Sequence, residues 1–483
     1  MIDVTQLPRM ARKGGDLPGV GVVHLGLGAF YRAHAAIYIA EAMATSGGDW
    51  GIIGVSLKSP TQAERLKPQD CVYTAVEMAP DGTIPHRVEV VQDVLVAPHD
   101  PAAVLSAMAA ESVKIVTMTV TEKGYCHEPA TGKLNRDHPD ILADLANPDA
   151  PASALGYLVR ALELRRKAGL RPFTVLTCDN LPDNGHVVKG VVLELAGLID
   201  PDLRDWIAAE GAFPCTMVDR IVPATKPEDI EALGQLTGYY DASPVMMEPF
   251  RQWAVEDNFV DGLRPDLGAV GVELVSNVTP FEDMKLRCLN GTHSTLAYLG
   301  YLGGLETICD AVSDPHYAAF IKDVWAKEIV PGVTAPEGVD LTAYTAQLFE
   351  RYANPAIRHL TWQIAMDGSQ KLPQRILFQL EEAFAAGRAM PRLTLAVAAW
   401  MRYVGGTDDA GQPIDVRDPL AERLRALSDG AQTAADKVAA LLSVREVFSD
   451  ALRGNADFVA DVTAAYEGLA AHGARAMVEK YNA

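Results

Sequence analysis

Short apolar runs alternate with helix-like segments over roughly the first 277 residues, and this alternation constrains the fold more than any other feature of the chain. The runs are residues 20–25, 50–57, 113–120 and 172–178. Each precedes or follows a segment with helical periodicity. Strand–helix alternation of this kind predicts an α/β fold with a mostly parallel sheet covered by helices on both faces.

The second half of the chain has a different texture. After Phe281 it is rich in Ala and Leu at spacings of three and four, as in residues 393–401 and 434–442. This pattern predicts a largely α-helical domain. We therefore expect two domains, 1–280 and 281–483, with an extensive interface and a cleft between them because no long linker separates them.

The charge balance excludes several classes of partner. Lys and Arg number 42 against 63 Asp and Glu, a net charge of −21, which predicts no binding to nucleic acid or anionic lipid. No apolar run reaches the roughly 20 residues of a membrane span. The N-terminus lacks the features of a secretory signal, so we expect a cytoplasmic protein.

Cysteine and histidine usage predicts neither disulfides nor a metal site. The six cysteines form no CxxC pair and are expected to be mostly core residues. The eleven histidines show no HExxH or similar spacing, so zinc-dependent chemistry is not expected. No Walker A or G-x-S-x-G motif occurs, which argues against P-loop and nucleophile-elbow enzymes.

A Gly-x-Gly motif follows the first predicted strand. Gly26 and Gly28 lie between this strand and a predicted helix, where glycines let backbone N–H groups approach a pyrophosphate. The third glycine of the usual fingerprint is missing, and the alternative is a tight strand–helix turn without a ligand. Arg32 either pairs with a phosphate or is a solvated helix residue, and His24 and His34 are expected to be packed.

A second motif places four polar residues on one predicted helix. At about 100° per residue, Glu282, Asn290 and His293 fall at about 60°, 140° and 80° from Lys285, so all four share a face. A solvated polar stripe is the alternative. Flanking leucines indicate a buried helix, and a buried lysine gives up its proton readily enough to act as a base.

Three further polar clusters are candidates for ligand contacts or are ordinary turns. One, containing Asn180, follows the strand that ends near Cys178, at the edge where open α/β sheets bind ligands. A second contains Lys123, and a third contains Lys371. Their Asn, Asp, Gly and Pro content is equally typical of loops.

At these motifs the chain resembles the long-chain mannitol dehydrogenase family. The family pattern G-x-G-x-F-x-R-x-H is met by Gly26, Gly28, Phe30, Arg32 and His34. The pattern K-x-x-x-x-N-x-x-H is met by Lys285, Asn290 and His293. The resemblance extends over nearly the whole chain and is strongest to the fructuronate reductase (D-mannonate oxidoreductase) branch, in residues 119–126, 217–223, 248–253 and 361–375.

The resemblance implies an N-terminal Rossmann-type domain that binds the dinucleotide, a helical C-terminal substrate-binding and catalytic domain, and metal-independent hydride transfer. The implied cofactor contacts are Gly26, Gly28, Phe30 and Arg32. The implied catalytic roles are general acid/base for Lys285, alkoxide stabilisation for Asn180 and Asn290, substrate orientation for His293, and proton relay for Glu282. The implied substrate contacts are Lys123, Asp219, His359 and Lys371.

Two departures from the polyol-specific members favour a sugar acid, D-mannonate or D-fructuronate. Polyol enzymes tend to have Gly where this chain has Lys123, and a basic residue near Gln363. A uronate needs a cationic group. We expect it among six residues: Lys123, Arg251, Arg358, His359, Lys371 and Arg375, with Lys123 and Lys371 favoured.

The cofactor prediction draws on two opposing signals. NAD-specific sites usually carry an acidic residue at the end of the second strand, but Lys58 and Ser59 stand there and would tolerate a 2′-phosphate. The resemblance favours NAD, which is our prediction, with NADP left open. Oligomeric state is also left open, and a monomer is compatible with the sequence.

Two other functions remain as alternatives. One is a polyol dehydrogenase of the mannitol or arabinitol type. The other is a nucleotide sensor without catalysis, which would have no need of the Glu282–His293 motif.

Overall fold

The computed structural model describes residues 3–128 and 131–482. The chain divides into two compact units, Met1–Thr279 and Pro280–Ala483.

Eleven strands form three sheets among the described residues of the N-terminal unit. They are β1 Val20–Leu25, β2 Gly51–Ser56, β3 Tyr73–Ala79, β4 Gly82–Val88, β5 Val91–Val96, β6 Ile115–Met118, β7 Thr174–Thr177, β8 Thr216–Asp219, β9 Val245–Met247, β10 Gln252–Glu256 and β11 Glu273–Val275. The main sheet has the order β5-β2-β1-β6-β7, and all its strand pairs are parallel.

The main sheet is buried on both faces. Successive residues of a strand point to opposite faces, and Val22 and Val23 of β1 pack into two different hydrophobic clusters. The same holds for Val175 and Leu176 of β7. Double-sided burial explains why these strands read as continuous apolar runs, and the prediction of a mostly parallel sheet is confirmed.

Nine α-helices accompany these strands among the described residues of this unit. They are α1 Ala29–Ala33, α2 Ala35–Ser46, α3 Thr61–Leu66, α4 Pro101–Ala109, α5 Pro139–Ala146, α6 Ala154–Lys167, α7 Asn184–Ile199, α8 Pro201–Glu210 and α9 Pro227–Thr237. Helices α4, α6 and α7 supply residues to one cluster, and α2 and α3 supply residues to the other.

The strand order reverses at β1. From β1 the chain runs outward through β2 to β5, then returns to add β6 and β7 on the other side. The switch point therefore lies between β1 and β6, at the carboxyl ends of the strands, which is where such sheets bind ligands.

The two smaller sheets were not predicted. One has the order β4-β3-β9 and the other β11-β10-β8. Strand β4 is largely exposed, and β9 and β11 have only three residues each. Polar residues interrupt β3 and flank the apolar residues of β8 and β10, so these strands lack the continuous apolar runs that marked the main sheet. Val218 and Trp253 of the second small sheet join the hydrophobic cluster on one face of the main sheet.

The C-terminal unit is helical, as predicted. Its α-helices are α10 Thr279–Met284, α11 Thr292–Leu302, α12 Ile308–Ser313, α13 Pro315–Asp323, α14 Leu341–Tyr352, α15 Thr361–Ala365, α16 Gly368–Leu372, α17 Phe378–Ala385, α18 Pro391–Val404, α19 Ala421–Gly430, α20 Ala434–Leu442, α21 Asp450–Gly454 and α22 Ala456–Lys480. Three π-helical segments interrupt them, at Lys285–Gly291, Val324–Ile329 and Pro373–Leu377.

The cysteine prediction also agrees with the structure. All six cysteines are free thiols, and five of them are buried. Among the described residues, no helix is both long enough and apolar enough to cross a bilayer.

Candidate active site

The Gly-x-Gly motif forms the turn between β1 and α1. Gly26 has φ +89°, and a Cβ built there would lie 2.1 Å from the carbonyl oxygen of Thr119. Only glycine fits this backbone and this approach. A Cβ at Gly28 would meet its nearest neighbour at 3.7 Å, so Gly28 is required by neither φ nor packing, and a bound ligand would explain it.

Arg32 is buried beneath this turn. Its Nε donates to the carbonyl of Gly28 at 3.3 Å, and its Nη1 donates to the carbonyl of Ser243. The solvated alternative for Arg32 is therefore wrong. Two of its guanidinium nitrogens bond to main chain, so the residue supports the turn, and contact with a phosphate stays a prediction.

The aromatic side chains around the turn are tightly packed. His24 stacks on Tyr31 with ring centres 3.3 Å apart, and burial lowers the pKa of His24 to about 3, so the ring is neutral. His34 is buried and stacks on Phe30. The expectation that both histidines are packed is confirmed. Helix α1 is only five residues long because the chain leaves helical geometry at His34, where φ is −129°.

Asp179 organises the loops at the carboxyl ends of β6 and β7. Its carboxylate accepts hydrogen bonds from the backbone N–H groups of Val120 and Thr121, at 2.9 and 3.0 Å, and from the Tyr125 hydroxyl at 3.0 Å. Asn180 follows it at an exposed position, and Lys123 is exposed on the neighbouring loop. Sequence reasoning identified Asn180 and Lys123 but missed Asp179, because its partners are about 60 residues away.

A cavity of about 540 Å³ opens at this edge of the sheet. Its lining includes Lys58 after β2, Thr121 and Lys123 after β6, and Ser153 before α6. Because it lies beside the switch point, it is the candidate site for a dinucleotide within this unit.

Asp219 lies at the end of β8 in the β11-β10-β8 sheet, and its side chain is buried. Asn184 connects this strand to the loop after β7. Its amide nitrogen donates to the carbonyls of Asp179 and Thr216, and its amide oxygen accepts from the N–H of Thr216 at 2.9 Å. The sequence motif gave Asn184 no special role, since its partner strand was not predicted.

The second motif is not a regular α-helix. Lys285–Gly291 is π-helical, between α10 and α11. The angles expected at about 100° per residue are therefore wrong across this segment, because π-helical bonds run from i to i+5. Lys285 and Asn290 have this i, i+5 spacing, which places them on successive turns. Lys285 and His293 are buried, and Glu282 and Asn290 are partly buried.

Side chains from distant helices stabilise the π segment. Trp325 Nε1 donates to the carbonyl of Cys288, and the Tyr352 hydroxyl donates to the carbonyl of Leu289, both at 2.9 Å. The Thr292 hydroxyl donates to the same two carbonyls, so both local and distant donors hold this turn. π-Helical turns occur frequently at functional sites, and nothing in the local sequence indicates this one.

His293 forms a stack with residues of other elements. Its ring lies 4.8 Å from that of Tyr352, and its Nε2 is 3.4 Å from Nδ1 of His359. Burial, together with the neighbouring His359 and Arg375, holds the pKa of His293 well below its usual value. Burial lowers the pKa of His359 to about 4. Both rings are therefore neutral near pH 7.

Lys371 and Arg375 lie four residues apart on the α16 segment and the π segment that follows. Lys371 Nζ donates to the carbonyl of Met366 at 2.7 Å. Arg375 Nη1 donates to the hydroxyl of Ser294 at 3.2 Å, next to His293 in the chain. Gly291 allows this approach, because a Cβ there would lie 2.8 Å from the carbonyl oxygen of Arg375.

Two groups of potential metal ligands also come together in the part of the chain that is described. They are Cys126 with His138 and Asp140, and Cys215 with Asp183 and His186, and the ligand atoms of each group lie within 4.8 Å of one another. Burial raises the pKa of Cys126 to about 11, so its thiol is protonated at neutral pH. We assign no metal to either group.

Both parts of the chain match domain models of one protein family. Residues 20–268 match the mannitol dehydrogenase Rossmann domain, and residues 277–470 match the mannitol dehydrogenase C-terminal domain. The chain is 48% identical to the D-mannonate oxidoreductase of Escherichia coli (strain K12), over 95% of this chain and 94% of that protein. It is 42% identical to a mannitol 2-dehydrogenase of Pyrenophora tritici-repentis, over 95% and 81%.

A solved structure extends the likeness to the fold. The ternary complex of Pseudomonas fluorescens mannitol 2-dehydrogenase with NAD and D-mannitol has a TM-score of 0.84 and 36% identity, covering 99% of this chain and 98% of that one. Both halves of the chain match the same family, and the relatives are aligned over almost its full length. The chain is therefore an oxidoreductase that belongs to the mannitol dehydrogenase family.

Proposed function

We propose that the chain is an NAD(H)-dependent oxidoreductase that interconverts D-fructuronate and D-mannonate without a metal. The observation that carries this proposal is the buried Lys285 at the start of a π-helical turn, followed by Asn290 and by the neutral, buried His293. A lysine, an amide and an imidazole in this order supply the proton transfer and oxygen contacts that ketone reduction needs.

The N-terminal unit supports dinucleotide binding. The Gly26–Gly28 turn and the cavity beside Lys58 would hold the cofactor at the switch point of the main sheet. We propose NAD rather than NADP because the mannitol 2-dehydrogenase of similar fold was solved with NAD. Lys58 is exposed and lines the cavity, so we expect weak discrimination against the 2′-phosphate.

The reaction requires a hydride at carbon and a proton at oxygen. Bound nicotinamide supplies or accepts the hydride. In the reducing direction, the Lys285 ammonium would donate a proton to the oxygen at C5 of open-chain fructuronate. In reverse, neutral Lys285 would remove the proton of the C5 hydroxyl of mannonate. The amide N–H of Asn290 would stabilise the negative charge that develops on this oxygen.

His293 and His359 would orient the sugar. Because both imidazoles are neutral near pH 7, they can donate or accept hydrogen bonds with hydroxyl groups without placing a further charge in the site. The roles of Glu282, Asn180, Asp219, Lys123 and Lys371 remain predictions from the family resemblance.

A sugar acid is favoured as substrate for two reasons. The chain is 48% identical to a D-mannonate oxidoreductase over nearly its full length. In addition, Arg351 and Arg375 lie near His293 in a protein of net charge −21, and local positive charge of this kind would attract a carboxylate.

A polyol dehydrogenase is the second candidate. It is favoured by the mannitol 2-dehydrogenases among the relatives and by the structural likeness to an enzyme complexed with D-mannitol.

A substrate panel separates the candidates. NADH and NADPH oxidation would be measured with fructuronate, a second ketouronate, fructose and a ketopentose. We expect kcat/KM for fructuronate to exceed that for fructose at least tenfold, about 1.4 kcal/mol. An equal or greater kcat/KM for fructose would favour the polyol enzyme. No turnover of any of these four substrates with either cofactor would refute both candidate substrate classes.

A further inference from the structure

Arg375 carries a positive charge that no carboxylate among the described residues neutralises. Within the described residues, the only hydrogen bond of its side chain is from Nη1 to the Ser294 hydroxyl, at 3.2 Å, and no acidic oxygen lies within ion-pair distance. Burial lowers its pKa. Arg375 is only partly buried, so its guanidinium can be reached by an anion, and a partly buried charge without an anionic partner calls for an explanation.

Two largely buried arginines of the same unit have carboxylate partners. Arg287 pairs with Asp283 at 3.1 Å and also with Glu382. Arg392 pairs with Asp323 at 2.9 Å and approaches Glu328 at 3.5 Å. The C-terminal unit therefore neutralises these guanidinium groups internally, and Arg375 differs from them.

The location of Arg375 links it to the catalytic motif. Its hydrogen-bond partner Ser294 directly follows His293, and its own carbonyl packs against Gly291, which directly follows Asn290. The positive charge of Arg375 contributes to the low pKa of His293. An anion on Arg375 would therefore lie beside the part of the motif assigned to substrate orientation.

Four of the other five candidates, all except Lys123, are less suited to hold a carboxylate. Arg251 is bound by both oxygens of Glu41, and Arg358 is exposed and paired with Glu306 at 2.7 Å. Lys371 donates to the Met366 carbonyl and lies 3.8 Å from Asp367. The neutral ring of His359 supplies no charge near pH 7.

We propose that Arg375 binds the carboxylate of the sugar-acid substrate and thereby sets the preference for a uronate over an uncharged ketose. This inference rests on the proposed function. The planar guanidinium presents paired N–H donors that match both oxygens of a carboxylate, which a lysine ammonium does not. With Nη1 on Ser294, its Nη2 and Nε donors face no acceptor of the described chain.

The test compares Arg375→Met and Arg375→Lys with Arg423→Met. Arg423 is the matched control because it is an exposed arginine of the same unit, paired with Glu446. Each protein would be assayed for kcat and KM with fructuronate and with fructose at saturating NADH. Thermal unfolding and NADH binding would be measured on the same samples.

We expect Arg375→Met to lower kcat/KM for fructuronate about 10- to 100-fold, the usual effect of losing a hydrogen-bonded charge. The loss should lie mainly in KM, because the carboxylate is bound equally in the ground and transition states. Activity with fructose should stay within about threefold. Arg375→Lys should fall between wild type and Arg375→Met, and Arg423→Met should match wild type.

Three outcomes would overturn the proposal. An unchanged preference for fructuronate in Arg375→Met would place the carboxylate elsewhere. Equal losses on fructuronate and fructose would make Arg375 a purely structural residue. If Arg375→Met does not fold, Arg375→Lys decides the question. A wild-type ratio of kcat/KM for fructuronate to kcat/KM for fructose in Arg375→Lys would exclude recognition of the carboxylate by the paired N–H groups of the guanidinium. The wild-type enzyme is measured first. If it does not prefer fructuronate over fructose, the proposed function itself is refuted, whatever the variants show.

Discussion

The two glycines of the β1–α1 turn should have different roles. Substituting Gly26 should mainly lower stability, and substituting Gly28 should mainly weaken cofactor binding. In Gly26→Ala, a Cβ would lie 2.1 Å from the Thr119 carbonyl oxygen at a φ of +89°. The unfavourable φ costs about 1–2 kcal/mol, and the clash with rigid backbone costs about 1–3 kcal/mol more. We therefore expect the free energy of unfolding to fall by about 2–5 kcal/mol.

Gly28→Ala is the matched control. Its φ is −91°, and the nearest atom to a Cβ there is 3.7 Å away, so we expect a loss of less than about 1 kcal/mol, within the range of helix N-cap changes. If a pyrophosphate lies over this turn, however, the added methyl group occupies the path of its approach. The dissociation constant for NADH should then rise at least tenfold, about 1.4 kcal/mol.

Urea unfolding of both variants and NADH titration of the folded proteins provide the two measurements. A Gly26→Ala protein with wild-type stability would refute the steric reasoning. A Gly28→Ala protein that binds NADH like wild type would show that the pyrophosphate does not pass over Gly28.

Three further predictions concern catalysis, cofactor choice and acid stability. Lys285→Ala should keep NADH binding and folding but lower kcat by about 10²-fold or more. Lys327→Ala, at an exposed lysine, is the control and should keep the wild-type kcat. A near-normal kcat of Lys285→Ala at saturating substrate would refute the acid/base role. At the same fructuronate concentration, kcat/KM should be higher with NADH than with NADPH. A tenfold preference for NADPH would show that Lys58 and Ser59 decide the cofactor, and Lys58→Ala should then remove that preference. Burial lowers the pKa of His24 to about 3 from about 6.5 in the unfolded chain, so the unfolded state binds the proton first as pH falls. Between pH 7 and pH 5, wild type should therefore lose about 2 kcal/mol more of its free energy of unfolding than His24→Asn loses. Equal losses in the two proteins, measured by urea unfolding, would contradict a neutral His24.

The main sheet was predictable because its strands are buried on both faces. Four of its five strands were identified from apolar runs, including β1 and β7. The fifth, β5, was missed because Gln92 and Asp93 interrupt its apolar residues. Such an edge strand does not need a continuous hydrophobic run.

The candidate site was predictable where its residues form a local motif. Lys285, Asn290 and His293 fall within nine residues and match a family pattern, so their common region could be identified without coordinates. The contacts of that region were not predictable, because its π-helical turn accepts hydrogen bonds from Trp325 and Tyr352, which lie 37 and 63 residues from the carbonyls they bind.

Fold class and the location of the candidate catalytic motif thus follow from local pattern, because hydrophobic periodicity and glycine placement act over a few residues. The electrostatic character of each side chain follows only from the tertiary structure. Arg251 and Arg375 are the same residue type in the sequence. The side chain of Arg251 pairs with Glu41, whereas that of Arg375 bonds only to the Ser294 hydroxyl among the described residues. Charge compensation depends on which distant groups packing brings within a few ångströms, and no local spacing encodes this.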